Sequence, residues 1–160
     1  VGLGANLGEP ARQIREALKR LSSSRIRPIC VSSLYRTEPV GWQRQPWFVN
    51  AVVCVLSDLM ARELLERLLE IEMEMGRRRE IPMGPRTIDL DLLMWGGKVI
   101  KEEGLEIPHP RMHERRFVLV PMCEIAPGVI HPVIGHPMAE ILERSEAREK
   151  VHFMEAWGVA

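Results

Sequence analysis

Thr87-Ile88-Asp89-Leu90-Asp91-Leu92-Leu93-Met94-Trp95 alternates apolar and polar residues with a period of two through its first six positions. That period is the signature of a β-strand with one buried face, because successive side chains point to opposite sides of the backbone. Ile88, Leu90, Leu92 and Met94 fall on one face, and Asp89 and Asp91 fall on the other. Asp is depleted in strands, and an unpaired buried carboxylate is costly, so two on one face need a reason. Gly96-Gly97 follows and predicts a tight turn into a second strand at Lys98 to Ile100.

Working outward, Ser57 or Asp58 can cap a helix that runs through Met75 and is stopped by Gly76. Its apolar stripe is Leu64, Leu65, Leu68, Ile71 and Met75. Phe48 to Leu56 is a strongly apolar strand. Ile26 to Arg36 predicts a single strand, with Pro28 pushing its early part towards an edge or bulge. Ala11, Ile14, Leu18 and Leu21 recur at helical spacing behind Pro10, a natural first helical residue. Val1 to Leu3 predict the end of a short strand broken by Gly4. Downstream, a short helix is expected near His113 to Val120, with Pro121 disturbing its continuation. Met138 to Arg144 predicts a last helix and Val151 to Trp157 a terminal strand. Two strand–helix–strand halves with hairpin neighbours imply an α+β fold, an antiparallel sheet covered by helices. A doubly wound parallel sheet would need more regular alternation.

The 160 residues suit a single domain, residues 1–160, with no repeat or low-complexity stretch. Lys plus Arg and Asp plus Glu are both 22, so the formal net charge is zero. Neutrality argues against a general nucleic-acid coat and a polybasic membrane anchor. The breakdown is less even: 18 Arg against 4 Lys, and 19 Glu against 3 Asp, of which two are Asp89 and Asp91. No apolar run approaches the roughly 20 residues that a membrane helix needs. The first residues carry no basic leader followed by an apolar stretch, so no signal peptide is expected. Cys30, Cys54 and Cys123 form no zinc spacing. Cys30 and Cys54 lie in apolar runs and are expected to be reduced core residues, which suits a reducing, cytoplasmic setting.

The chemistry concentrates around the acidic strand. Two aligned carboxylates, roughly 6.5–7 Å apart at their Cα atoms, can hold hard cations such as Mg²⁺. The alternative is a strand with a solvated polar face. Arg77, Arg78 and Arg79 open the preceding loop and Arg86 stands three residues before Asp89, so guanidinium forks that suit phosphate flank the acids. The alternative there is a solvated charge run. A second cluster is His109, Arg111, His113, Arg115 and Arg116, followed by Phe117. His109 lies between two prolines and could donate to phosphate. A third cluster is Thr37, Trp47, Phe48 and Asn50, which could offer a stacking face and polar groups to a planar heterocycle. On the residues alone the plainer reading is stronger: Phe48 as core and Asn50 as a turn-side polar residue. Gly2 to Gly8 reads GxGxxxG, which is no nucleotide-loop motif and reads as a strand-to-helix turn.

Taken in order, these pieces resemble the 6-hydroxymethyl-7,8-dihydropterin pyrophosphokinase family of folate biosynthesis. The runs that carry the resemblance are Gly4-Ala5-Asn6-Leu7-Gly8, Tyr35-Arg36-Thr37-Glu38-Pro39-Val40-Gly41 and Gln45-Pro46-Trp47-Phe48-Val49-Asn50. They continue with Gly84-Pro85-Arg86-Thr87-Ile88-Asp89-Leu90-Asp91 and Ile107-Pro108-His109-Pro110-Arg111-Met112. The resemblance implies a ferredoxin-like fold and transfer of pyrophosphate from ATP to the hydroxymethyl group of the reduced pterin, with release of AMP. It implies that Asp89 and Asp91 hold two Mg²⁺ ions, and that Arg77 and Arg86 are catalytic residues binding phosphates. Glu72, Leu92, His109 and Arg115 would lie with the nucleotide. Phe48 and Phe117 would sandwich the pterin, and Thr37, Asn50 and the Val40 backbone would bond its edge. Fusion to, or action beside, other folate enzymes is a further implication. The chain departs from the family pattern at Met83, where Trp is frequent, at Leu69, where Gln is frequent, and in a shorter loop from Arg77 to Met83. Two rivals stand beside this reading: another Mg²⁺-dependent nucleotidyl or phosphoryl transferase, and a non-catalytic ferredoxin-like binding module.

Overall fold

Hydrophobic periodicity accounts for the two longest helices of the computed structural model, which describes residues 1–76 and 83–157. Helix α1 (Pro10–Leu21) buries Ile14, Ala17, Leu18 and Leu21, one stripe of a helix turned to the sheet. Helix α2 (Ala61–Glu74) buries Ala61, Leu64, Leu68 and Ile71. It starts later than the expected Ser57 or Asp58 cap. The Ser57 hydroxyl is engaged with the Arg25 carbonyl and the Leu59 N–H, and Asp58 pairs with Arg25. The Glu63 carboxylate takes over and accepts the Met60 N–H at 2.7 Å. Gly76, at φ +79°, ends the segment as expected.

The main sheet is antiparallel. Its strands are β1 (Gly2–Ala5), β2 (Ile26–Val31), β3 (Leu34–Thr37), β4 (Phe48–Ser57), β5 (Asp89–Asp91) and β8 (Val151–Glu155), and its order is β5-β1-β4-β3-β8. Strand β4 is long enough to pair twice on one side, with β3 along its first part and with β2 along its second. The expected single strand Ile26 to Arg36 is therefore two strands. The break is at Ser32 and Ser33, whose side chains divert backbone bonds from the ladder. The Val52 N–H donates to Ser32 Oγ rather than to a carbonyl, and Ser33 gives its N–H and hydroxyl to Glu124.

Other boundaries also move. Gly4 does not break the first strand but sits within β1. The paired part of the acidic strand is short. The turn at Gly96-Gly97 leads to a separate two-stranded ribbon, β6 (Ile100–Glu102) with β7 (Leu105–Ile107), and not back along β5. Pro121 lies inside α3 (Arg116–Ile125), which runs past it and is preceded by a single 3-10 turn at Met112–Glu114. Helix α4 (Met138–Arg144) matches its expectation.

Helices cover both faces of the sheet. Val49, Ala51 and Val53 of β4 join the core under α1 and α2. Val52 joins Leu93, Met112, Leu119 and Met138 in a second core under α3 and α4. Each fully buried Leu or Ile stabilises the fold by about 1.5–3 kcal/mol relative to exposure. Burial on both faces explains why β4 reads as an apolar run rather than an alternation. The fold is the expected α+β antiparallel sheet covered by helices, consistent with a ferredoxin-like arrangement. No helix among the described residues is long and apolar enough to cross a membrane.

Candidate active site

Strand β1 lies between the acidic strand and the strand carrying Phe48 and Asn50. Its register sets Gly2 opposite Asp91 and Val52, and Gly4 opposite Asp89 and Asn50. Cross-strand partners share a face, so Asp89, Gly4 and Asn50 form one row and Asp91, Gly2 and Val52 the next. The two glycines leave the floor between the acids and the amide bare. A Cβ on Gly4 would stand 2.4 Å from Asn50 Oδ1, so the position of the Asn50 amide requires glycine there. Asn50 Nδ2 donates to Thr37 Oγ1 at 2.7 Å, and both residues are buried. Thr37 and Phe48 face one another across β3 and β4.

One cleft gathers the sites expected for the heterocycle and the metal. Thr37, Val40, Phe48, Asn50 and Phe117 all line it. So do Arg86, Asp89, Asp91 and Arg115. Arg86 donates through Nη1 to Asp89 Oδ2 at 2.6 Å, and its guanidinium carbon lies 6.0 Å from the Phe48 ring centre. Arg115 closes α3 at its start and lies 5.5 Å from the Phe117 ring centre. Each aromatic wall thus carries a cation over its ring.

Electrostatics single out Asp91. Burial raises its pKa from 3.8 to about 7, and the charges of Asp89 and Glu72 add to the rise. Arg115 and Arg86 oppose it without reversing it. Asp89 has the direct guanidinium contact, so the two acids sit in unequal settings. Glu72 is buried behind the strand, where its Oε1 accepts the Leu90 N–H at 2.8 Å. It therefore anchors the backbone between the acids.

His109 is held by its own backbone, whose N–H donates to the Leu93 carbonyl at 2.8 Å. The Arg111 N–H donates to His109 Nδ1 at 3.2 Å, which leaves the ring proton on Nε2. Burial, and then the charge of Arg115, lowers the His109 pKa. The ring is accordingly a neutral Nε2–H donor at pH 7. Burial likewise lowers that of Arg115, which stays charged.

Other expected residues lie elsewhere. Leu92 is buried in the core on the α1 and α2 side. Trp47 stacks on His152 at 5.8 Å with Arg36 over it, and does not line the cleft. His113 faces His131, and the Arg116 N–H is taken by Glu149. Arg77, with Arg78 and Arg79, lies outside the described residues, as does most of the loop up to Met83.

Sequence reasoning missed several parts. Met83 and Glu38 line the cleft. Met83 packs on Gly41, where an added Cβ would come within 2.8 Å of its terminal methyl. Asn6 links three segments. Its Oδ1 accepts the Arg86 N–H, and its Nδ2 donates to Gln45 Oε1 and the Pro46 carbonyl. Buried Asn beside a Gly-rich strand end was the available signal.

Paired carboxylates with guanidinium groups thus stand against an aromatic and amide-lined cleft. The family profile described as 7,8-dihydro-6-hydroxymethylpterin-pyrophosphokinase matches residues 1–127, and the chain belongs to that family. A 2-amino-4-hydroxy-6-hydroxymethyldihydropteridine pyrophosphokinase of Haemophilus influenzae is 44% identical over 133 residues, which is 82% of this chain and 83% of that protein. One of the same description from Methylorubrum extorquens is 43% identical over 145 residues, 90% of each chain. The folic acid synthesis protein fol1 of Pneumocystis carinii is 42% identical over 144 residues, 90% of this chain. The match spans only 20% of that longer relative.

Proposed function

We propose that this cleft transfers the β,γ-pyrophosphoryl group of ATP to the hydroxymethyl oxygen of 6-hydroxymethyl-7,8-dihydropterin, forming the pterin diphosphate and AMP. The observation that carries this reading is the common floor of β1, which sets Asp89 and Asp91 beside the Thr37–Asn50 pair in one cleft. In the reaction the acceptor oxygen bonds to the β-phosphorus and its hydroxyl proton is released to solvent, the bond to the α,β-bridging oxygen breaks, and AMP leaves with that oxygen.

The chain's own residues supply position and charge. Phe48 and Phe117 hold a flat ring, and the Asn50 amide and Thr37 hydroxyl read its hydrogen-bonding edge. Arg86 and Arg115 offer fixed cations to phosphate oxygens, and His109 adds a neutral N–H. Arg77 completes this shell in the same reading. Glu72 serves the nucleotide half of the site by fixing the Leu90 backbone, and Leu92 supports the same strand from the core.

The donor set fits Mg²⁺. Asp89 and Asp91 offer oxygen ligands on one strand face, and burial first, then the charge of Asp89, raises the pKa of Asp91, a cost that a bound cation would relieve. Bound Mg²⁺, two ions in this reading, would neutralise triphosphate charge and lower the pKa of the acceptor hydroxyl. The pterin diphosphate then serves folate synthesis, and the relative matched over a fifth of its length supports action beside other enzymes of that route.

The test is AMP release from ATP and Mg²⁺ with and without the reduced hydroxymethylpterin. AMP formed only with the pterin supports the proposal. AMP formed equally without it indicates another nucleotide-cleaving transferase. No Mg²⁺-dependent ATP binding by calorimetry indicates a binding module.

A further inference from the structure

Cys30 and Cys54 were expected to be core residues, and both are exposed. They are also direct partners in the β2–β4 ladder. The register shift between Pro28 and Cys30 is what brings them opposite one another, because it takes Ile29 out of the pairing. Two residues further along, the Ser32 N–H donates to the Val52 carbonyl. Alternation along an antiparallel ladder puts Cys30 and Cys54 in the same hydrogen-bonded class as that pair. Their Cα atoms are then about 5.5 Å apart, inside the span of roughly 4.4–6.8 Å that a disulfide bridges. Partners in such a pair project from the same face of the sheet, here the face that solvent reaches.

We infer that Cys30 and Cys54 form a dithiol site that exchanges with small-molecule disulfides of the glutathione type. One thiolate attacks a sulfur of the glutathione disulfide, making a mixed disulfide and releasing one glutathione thiolate. The second cysteine thiolate attacks the protein sulfur of that mixed disulfide, forms the Cys30–Cys54 bond and releases the second glutathione. The two protein thiol protons end on the two released glutathiones. The protein loses two electrons and the glutathione disulfide gains them. Cys123 takes no part: it lies in α3 among the second core, and burial raises its pKa. Neither partner lines the active-site cleft, so the site is separate from the transferase machinery.

The test incubates the folded protein with glutathione disulfide and reads intact mass and disulfide-linked peptides. Wild type and Cys123→Ser should each lose two hydrogens, yield a peptide pair joining Cys30 to Cys54, and regain both thiols with dithiothreitol. Cys30→Ser and Cys54→Ser should stop at one bound glutathione on the remaining partner, with AMP-forming activity unchanged. Two separate glutathione adducts on wild type, or retention of both free thiols, would overturn the inference. A bridge involving Cys123 would overturn it equally.

Discussion

Replacing Asp91 with asparagine should make the metal-free protein more stable at pH 8 while abolishing turnover. In the folded chain Asp91 holds its proton until about pH 7, against 3.8 as the ordinary value. Between these values the folded state keeps a proton that the unfolded chain has released. Stability therefore falls as pH rises through this window and levels off above about 7. At about 1.4 kcal/mol per pH unit, the whole window is about 4 kcal/mol, and the part between pH 5 and pH 8 about 3 kcal/mol. The amide of the Asp91→Asn variant keeps the shape and has no proton to lose, so the variant escapes that fall. Urea unfolding in the presence of a chelator, at pH 5 and at pH 8, measures the difference. The variant should gain about 3 kcal/mol on wild type between the two conditions. Saturating Mg²⁺ at pH 8 should raise wild type and leave the variant unmoved. A wild-type-minus-variant difference that stays flat within about 0.5 kcal/mol from pH 5 to pH 8 would refute the raised pKa of Asp91.

Phe117→Ala removes one aromatic wall and the surface on which Arg115 lies. Pterin binding should weaken by about 2 kcal/mol, roughly thirty-fold in Kd, and unchanged calorimetric binding would contradict stacking. Gly4→Ala would place a methyl 2.4 Å from Asn50 Oδ1 and push the amide off Thr37. Pterin affinity should drop by at least about tenfold, or about 1.4 kcal/mol, with the circular dichroism spectrum retained. Normal affinity in that variant would show that the Asn50 position is not what the floor glycine protects.

Much of this arrangement could be read from residue order because the decisive signal was local. The alternation of Ile88, Asp89, Leu90 and Asp91 fixes which groups share a face whatever the rest of the chain does. The α1 and α2 stripes were legible for the same reason. What stayed hidden depended on long-range partners. Ser32 and Ser33 look compatible with a strand until Glu124 of α3 claims the Ser33 N–H. Gly4 reads as a breaker, and only the register with Asn50 shows that a strand needs it. Cys30 and Cys54 sit in apolar runs, yet both are exposed, and a bulge in β2 sets Cys30 opposite Cys54. The residues alone favoured a plain reading of the third cluster, with Phe48 as core and Asn50 as a turn-side polar residue. The family resemblance favours the pterin reading, and the cleft that these residues share supports it.

The most direct measurement is the identity of the phosphorylated products after one round of reaction with ATP, Mg²⁺ and 6-hydroxymethyl-7,8-dihydropterin. Phosphorus NMR with mass spectrometry should show a pterin diphosphate and AMP in equal amounts. A pterin monophosphate with ADP, or AMP with free pyrophosphate and unmodified pterin, would contradict pyrophosphoryl transfer in this cleft.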